Sequence, residues 1–310
     1  MQILLAGASG FIGKNFIRGA PENWRIAGIY RSNPEFARFA KGFNNLSVLK
    51  CDLSNPLEAK VKLSSLPEYF DTGLFIWGNS DIGLSCREPL SDLKDNLESL
   101  INLVSNVKFG RFIFMSSGTV YMGQSGAVDE AKFLAPTAPY GVSKLASELY
   151  LRFFAEKTGQ IKECVNIRFF GAYGPMEPAR KIFTNLVKRF YIEKRNEFTL
   201  GGDGKNLIDA MYIEDTVEAL KRIILAEKAN LTLDLCKGEP MALRELVLRV
   251  ADILGVKNAR IHYEGESNES ITFYASPEKA ERLFGLRAKV PLDEGIIRLR
   301  DYITGVVANA

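Results

Sequence analysis

The segment Ala6-Gly7-Ala8-Ser9-Gly10-Phe11-Ile12-Gly13 constrains this chain more than any other. It directly follows an apolar run, Ile3-Leu4-Leu5-Ala6, and opens into residues of helical character. Glycine lets the backbone bend sharply and approach a ligand with no Cβ in the way. The start of a helix offers unpaired N–H groups and a partial positive charge to an anion. Strand, tight glycine turn and helix start together make a cradle for a pyrophosphate, as in a dinucleotide-binding βαβ unit. A glycine triplet alone also suits a tight turn that packs strand against helix. The preceding buried-type strand and a second motif, Tyr140-Gly141-Val142-Ser143-Lys144, favour the cradle.

Strand-like runs recur at Ile3–Ala6, Ile26–Tyr30, Leu46–Leu49, Leu74–Trp77, Arg111–Met115 and Cys164–Phe170. Several are continuously apolar, as expected when both faces of a parallel sheet are covered. Between them, Leu93, Leu97, Leu100, Ile101 and Val104 keep helical spacing, and so do Val142, Leu145, Ala146, Leu149, Tyr150 and Phe153. Strands alternating with helices predict a doubly wound α/β sheet. After about residue 171 the rhythm changes, with Gly174-Pro175 and Gly201-Gly202-Asp203-Gly204 as punctuation. Helical segments are expected around 179–193, 214–227, 242–254 and 277–284. The expected organisation is a dinucleotide-binding domain over 1–170 with a returning segment at about 205–230. A smaller substrate lobe would take 171–204 and 231–310, with the crevice between the lobes holding substrate.

Composition narrows the partners. With 40 Lys and Arg against 37 Asp and Glu, the net charge is +3, too small to imply nucleic acid or an anionic membrane. No apolar run approaches a membrane span, and the first residues are strand-like with no basic leader. The four cysteines are scattered without C-x-x-C spacing, which reads as a reduced, cytoplasmic protein. The single histidine, His262, has no Cys/His cluster beside it, which argues against a metal site or a histidine triad.

Tyr140 and Lys144 stand four residues apart and share one helix face. With the apolar stripe Val142–Phe153 packed on the sheet, that face would point away from it, toward a cleft. A surface tyrosine and lysine that merely coincide would give the same spacing.

Together, the glycine triplet and Tyr140-x-x-x-Lys144 resemble the short-chain dehydrogenase/reductase superfamily. The long C-terminal part resembles its extended branch, the NAD(P)-dependent nucleotide-sugar epimerases, dehydratases and reductases. Phe112–Tyr121 resembles that family's serine strand, and Asn166–Pro175 the strand leaving the nicotinamide pocket. Gly202-Asp203-Gly204 and Tyr212-Ile213-Glu214-Asp215 fall in family order. The resemblance implies a Rossmann-type doubly wound parallel sheet with a smaller C-terminal α/β substrate lobe. It implies Ser117, Tyr140 and Lys144 as catalytic residues. Free tyrosine, with a pKa of about 10, is a poor base at neutral pH, and a neighbouring ammonium would lower it. Ser117 would hydrogen-bond the substrate oxygen. By the same resemblance Lys144 also holds the nicotinamide ribose, Phe170 packs by the nicotinamide, and Asn96 lies in the helix lining the pocket. Asn96 could equally be a helix cap or face solvent.

The cofactor reading rests on the second strand. NAD enzymes of this type place an acid about 20 residues after the glycines. Here no acid occurs between Glu22 and Glu35, and the strand ends Gly28-Ile29-Tyr30-Arg31-Ser32. A guanidinium suits a 2′-phosphate, so NADP(H) is favoured, with Ser9, Arg31 and Ser32 around the phosphate. The alternative is an exposed Arg31 and NAD(H). Gly7, Gly10, Phe11, Ile12 and Gly13 complete the cradle. Cys51-Asp52-Leu53 resembles the adenine-contacting turn, and Gly78 joins the cofactor set beside the nicotinamide.

The chain departs from the family pattern on the substrate side. Gly118-Thr119 stands where the dehydratases carry Asp-Glu, which disfavours elimination of water. Ile208 precedes Asp209 where many members have an arginine that grips the nucleotide diphosphate. Trp77-Gly78-Asn79-Ser80 replaces the common His-Leu-Ala-Ala. Asn79, Thr119 and Arg180 are the expected substrate contacts. The expected activity is NAD(P)-dependent redox at a sugar carbon of a nucleotide-sugar, by 4-keto reduction or epimerisation. The alternative is a non-catalytic, NADP-sensing regulator on the same fold. The resemblance also implies a homodimer through the helices holding Leu93–Val104 and Val142–Phe153.

Overall fold

The computed structural model describes residues 1–265 and 271–305; residues 266–270 and 306–310, both inside the expected C-terminal lobe, lie outside the described residues. Seven strands form one sheet: β1 (Gln2–Ala6), β2 (Arg25–Tyr30), β3 (Leu46–Lys50), β4 (Tyr69–Phe75), β5 (Lys108–Ser117), β6 (Ile161–Phe169) and β7 (Leu231–Leu235). Their order is β7-β6-β5-β4-β1-β2-β3, and every neighbouring pair is parallel. This is a Rossmann-type sheet, whose strand order reverses beside β1. Ile3, Leu4, Leu5 and Ala6 are wholly buried, which explains the unbroken apolar run: both faces of β1 are covered.

The helices that matter to the site are α1 (Phe11–Gly19), α2 (Ile82–Arg87), α3 (Pro89–Leu93), α4 (Ser99–Asn106) and α5 (Pro139–Phe153). Five residues of wider turn, Lys94–Glu98, join α3 to α4. Leu100, Leu103 and Val104 of α4 pack into a core with Phe75, Phe109, Phe112 and Phe114 of the sheet. Phe109 and Phe112 meet edge to face at 4.9 Å, the arrangement their ring quadrupoles favour.

The chain forms two compact units. The first comprises residues 1–123, 130–169 and 220–235 and contains the whole sheet. The segment that returns to it is therefore 220–235, later than the 205–230 expected from the sequence. The reason is β7, which pairs with β6 from Leu231↔Val165 to Leu235↔Phe169. Arg111 Nη1 helps to anchor this return by donating to the carbonyls of Ile223 and Ile224, at 3.0 and 3.2 Å. Cations satisfy the orphan carbonyls at a helix end in this way.

The second unit comprises residues 124–129, 170–219 and 236–310. Its short strands pair in parallel, Ser125–Val128 with Thr272–Ala275 and Glu197–Gly201 with Arg260–Glu264. Its helices Ile182–Val187, Leu243–Ile253 and Leu292–Thr304 pack together. Tyr173 stacks on Phe183 at 4.2 Å, and Phe170 meets Phe273 edge to face at 6.2 Å. The expected helix over 179–193 starts at Ile182, so Arg180 lies in the exposed turn before it. Asp209 is buried and accepts the backbone N–H groups of Gly238 and Glu239, at 3.0 and 3.1 Å. Among the described residues no helix is long and apolar enough to cross a membrane, and no three His, Cys, Asp or Glu side chains gather as a metal ion would need.

Candidate active site

The glycine turn fits a pyrophosphate. Gly7 has φ +90°, and a Cβ on it would lie 2.9 Å from the backbone of Ile76. At Gly13 a Cβ would come within 2.4 Å of the Gly7 carbonyl oxygen, so α1 can pack this close to the turn only without a side chain. Gly10 caps α1, no side chain caps its first N–H groups, and its first turn carries no acid. Those N–H groups keep their capacity for an anion. Ser9, Phe11 and Ile12 sit on the turn and the first turn of α1, each partly exposed.

At the end of β2, Arg31 is exposed but committed. Its Nη1 donates to Asp95 Oδ1 at 2.6 Å and its Nη2 to Asp95 Oδ2 at 3.4 Å. The guanidinium carbon is 5.8 Å from the centre of the Trp77 ring. Ser32 is exposed beside it. Asp52 Oδ1 accepts the backbone N–H and hydroxyl of Ser54, at 3.0 and 2.7 Å, and Leu53 is buried. Asp95 was not anticipated; nothing local in the sequence marks it as the partner of Arg31, 64 residues away.

Helix α5 is turned over relative to the sequence expectation. Tyr140 and Lys144 are 8% and 4% exposed, whereas Val142 and Phe153 of the apolar stripe are 51% and 50% exposed. The buried face is the polar one: Tyr140, Ser143, Lys144, Ser147 and Glu148. It is stable there because hydrogen bonds satisfy it. Lys144 Nζ donates to the Met115 carbonyl at 3.0 Å and lies 4.9 Å from the Phe114 ring centre and 5.7 Å from that of Tyr140. Glu148 accepts from Ser116 Oγ at 2.5 Å and from Arg168 Nη2 at 2.9 Å. Arg168 Nη1 donates in turn to the Tyr121 hydroxyl, which donates to Asp234 Oδ1 at 2.9 Å.

Ser117 ends β5. It accepts the Thr119 hydroxyl at 2.9 Å and the Thr119 N–H at 3.2 Å. It also shares a hydrogen bond with the Tyr140 phenol. The phenol is not acidified as expected. Burial pushes it up to about 12; the Ser117 hydrogen bond opposes this and the Asp92 carboxylate adds to it. Burial pushes Lys144 down to about 8, against the charges of Asp92 and Glu148. Both groups have lost water, and desolvation outweighs the neighbours that oppose it, Ser117 for the phenol and the two carboxylates for the ammonium.

Facing α5 is a second polar stripe that the apolar spacing hid. Asp92, Asn96 and Ser99 recur at helical period and are all buried. Asp92 Oδ1 accepts the side-chain amides of Asn79 and Asn96, both at 2.9 Å, and Oδ2 accepts the Ser143 hydroxyl at 2.7 Å. Asn79 also donates to the Asp81 carbonyl and accepts the Asp81 N–H, so its amide holds the loop after β4. Asn96 is neither a cap nor solvent-facing; its Oδ1 packs against Gly78 and has no hydrogen-bond partner. An unsatisfied buried acceptor beside Gly78 suits a site built for a bound polar group. Ser85 Oγ, on α2, accepts the Tyr140 N–H at 3.2 Å. The signal that could have found Asp92 is the pairing of two polar helix stripes, since a solvated helix has no need of one.

A family profile described as the NAD dependent epimerase/dehydratase family matches residues 3–233. An uncharacterized UDP-glucose epimerase of Bacillus subtilis (strain 168) is 26% identical over 331 residues, 99% of each chain. Among solved structures, the UDP-glucose 4-epimerase of Thermotoga maritima, determined with UDP-glucose, aligns with a TM-score of 0.86 at 22% identity, covering 99% of this chain and 100% of that one. The UDP-glucuronic acid 4-epimerase of Bacillus cereus, in complex with UDP-glucuronic acid and NAD, aligns with a TM-score of 0.85 at 23% identity over the same shares.

Proposed function

Because the chain belongs to the NAD dependent epimerase/dehydratase family and is an enzyme of the extended short-chain dehydrogenase/reductase type, we infer that it carries out redox at a sugar carbon of a nucleotide-sugar through Ser117, Tyr140 and Lys144. The observation that carries this reading is the convergence of those three side chains at the end of β5 and the start of α5, within the unit that also holds the glycine cradle. The relatives named above include enzymes of UDP-glucose and UDP-glucuronic acid, which makes a UDP-sugar the first substrate to try.

When bound, the nicotinamide supplies the hydride chemistry. The chain's own residues handle the proton. A phenol near 12 is protonated at neutral pH and donates to a carbonyl oxygen as that oxygen gains charge. This suits reduction of a keto-sugar, or the second half of an epimerisation. The oxidative half runs through the phenolate: the phenol first gives its own proton to solvent, the Lys144 ammonium favours the resulting anion, and the same oxygen then takes the proton of the sugar hydroxyl. Ser117, already bonded to Tyr140, steadies the reacting oxygen. Positions 118 and 119 carry no acid, so elimination of water lacks its acid–base pair.

We read the cofactor site as taking NADP(H) through Arg31, Ser9 and Ser32, at an affinity that the Asp95 carboxylate holds down, and NAD(H) without that contest. The homodimer expected through the helices holding Leu93–Val104 and Val142–Phe153 is supported by the exposed apolar stripe of α5 and by the exposed Leu93, with Leu90 beside it in sequence on α3, whereas Leu100, Leu103 and Val104 are buried in the chain's own core.

The test is to denature the purified protein, identify any released dinucleotide, and assay UDP-glucose and UDP-glucuronic acid. Stoichiometric retained NAD with interconversion of 4-epimers supports an epimerase; an empty site that consumes added NADPH with a keto-sugar supports a reductase. Tyr140→Phe loses at least about 100-fold in turnover with dinucleotide affinity kept. Unchanged turnover in that variant would remove Tyr140 as the acid/base, whereas a wild-type protein that binds dinucleotide but turns over none of these substrates would leave the sensing role.

A further inference from the structure

Asp92 has no role in the chemistry above, yet it is a buried carboxylate beside the site that joins three separate residues. It is 2% exposed and, among the described residues, makes no ion pair at hydrogen-bonding distance; three side-chain donors satisfy it. Each comes from a different stretch of chain: Asn79 from the loop after β4, Asn96 from the turn after α3, and Ser143 from the first turn of α5. A buried carboxylate is costly unless it is hydrogen-bonded throughout, and a leucine here would cost nothing in desolvation.

We propose that Asp92 is a positioning residue for the Tyr140 and Lys144 pair: its carboxylate clamps the Asn79 loop and the Asn96 turn to Ser143, fixing the register of α5 against the site. The clamp lies one residue from Lys144 and three from Tyr140. A second bond, from the Tyr140 N–H to Ser85 Oγ, holds the same turn of α5 from α2. Ser147 Oγ reaches the Asn96 carbonyl at 3.4 Å one turn further on. From Tyr140 to Ser147, α5 is thus held by Ser85, Asp92 and the Asn96 carbonyl, all from a single segment, residues 79–96. Hydrogen bonds to that segment explain how a polar helix face can be the buried one.

The clamp also carries charge. The charged groups around Lys144 are Asp92 from α3 and Glu148 from its own helix, the latter paired with Arg168 of β6. Asp95, in the turn after α3, is paired with Arg31. The strand β5 contributes the neutral Met115 carbonyl and the Ser116 and Ser117 hydroxyls. Asp92 acts on both reacting groups in the same sense: it raises Lys144 and it raises Tyr140. Loss of its charge therefore moves both titrations to lower pH, whereas mere loosening lowers the rate without moving them.

This inference rests on the catalytic reading of Tyr140 and Lys144, and the experiment keeps the two apart. Asp92→Asn preserves size and can still bond Asn79, Asn96 and Ser143, with the Ser143 hydroxyl now accepting. In the full-length protein, the Lys144 ¹³Cε signal is followed against pH by NMR in wild type and in D92N. Turnover with NAD and UDP-glucose is measured alongside over the same pH range. The expected result is a Lys144 titration displaced to lower pH, an alkaline limb of activity displaced with it, and kcat lower by about 10-fold at pH 8 with KM within a few-fold. Ser143→Ala keeps the charge and cuts one arm; it lowers kcat several-fold and leaves the Lys144 titration in place. A D92N protein with the wild-type Lys144 titration and wild-type kcat overturns the proposal. Should D92N not fold, Ser143→Ala decides, and wild-type kcat there overturns it equally. If Tyr140→Phe keeps its turnover, the catalytic reading fails instead, and the Lys144 titration still reports on Asp92.

Discussion

Asp95 changes what Arg31 can offer a ligand. A lone guanidinium at the end of β2 reads as a 2′-phosphate receptor, but here its charge is balanced at 2.6 Å by a carboxylate. A phosphate reaching Arg31 must displace or tolerate that carboxylate, and like charges at contact distance repel. Asp95→Asn removes the contest and keeps the shape. The ratio of NADPH to NADH affinity should rise about 10-fold, since one charge-assisted hydrogen bond is worth roughly 1.5–3 kcal/mol. Fluorescence titration with each reduced dinucleotide measures it, and an unchanged ratio would place Arg31 outside the phosphate site. Lys144 carries the opposite kind of conflict, between stability and use. Its folded value of about 8 lies below the ordinary lysine value of 10.5, so below pH 8 both states hold the proton and the burial penalty is fully present. Between pH 8 and 10.5 the unfolded chain binds more protons, and this group's contribution to stability rises with pH. Lys144→Met should therefore match or exceed wild type in denaturant stability at pH 7, by up to roughly 3 kcal/mol, while losing turnover. Urea melts at pH 7 and pH 9.5 test the sign: the variant's advantage must shrink at the higher pH.

At the scale of elements, what could be read from the chain and what could not divide along α5 and β7. Six of the seven sheet strands were legible from apolar runs, but β4 starts at Tyr69 and ends at Phe75 where Leu74–Trp77 was expected, because Asp71-Thr72-Gly73 interrupts its apolar pattern. β7 was not: Leu231-Thr232-Leu233-Asp234-Leu235 alternates, as a half-exposed strand does, and only the structure shows Asp234 buried under the Tyr121 hydroxyl. Helix α5 was legible as a helix but its orientation was not. Periodicity locates an apolar stripe without saying whether sheet or another surface covers it. The rule that the apolar face packs inward fails here because the polar face finds partners across two strands: Ser116 on β5 and Arg168 on β6 both bond Glu148. That network is an element-scale bolt, and it should break as one. Arg168→Ala leaves Glu148 buried without its cation, and losing one partner of a buried pair costs roughly 3–5 kcal/mol. Equilibrium urea denaturation should show a loss of that size. A loss under 1 kcal/mol would mean that α5 is held by its apolar contacts and the Asp92 clamp alone.

For the whole molecule, the same inversion leaves a debt on the surface. Val142, Leu149, Tyr150 and Phe153 on α5 are exposed, as are Leu90 and Leu93 on α3, and the two helices pack against each other in one unit. Scattered exposed apolar side chains are ordinary, but six on two helices that pack together make these helices the candidate interface. A second copy of the chain is the simplest partner, because an isologous contact brings the same two helices from each subunit together. Such a four-helix contact needs to bury about 1,200–2,000 Å² in total to be stable. Sedimentation velocity at micromolar concentration should find two chains per particle in the wild type. Leu149→Glu combined with Phe153→Glu should give a single chain, since two carboxylates on each copy would meet their own symmetry mates. The variant should stay folded and keep its affinity for reduced dinucleotide, because Tyr140, Ser143, Lys144 and Glu148 are held from within the subunit on the opposite face of α5. A wild-type protein that sediments as one chain would mean that some other partner, or only solvent, meets the stripe.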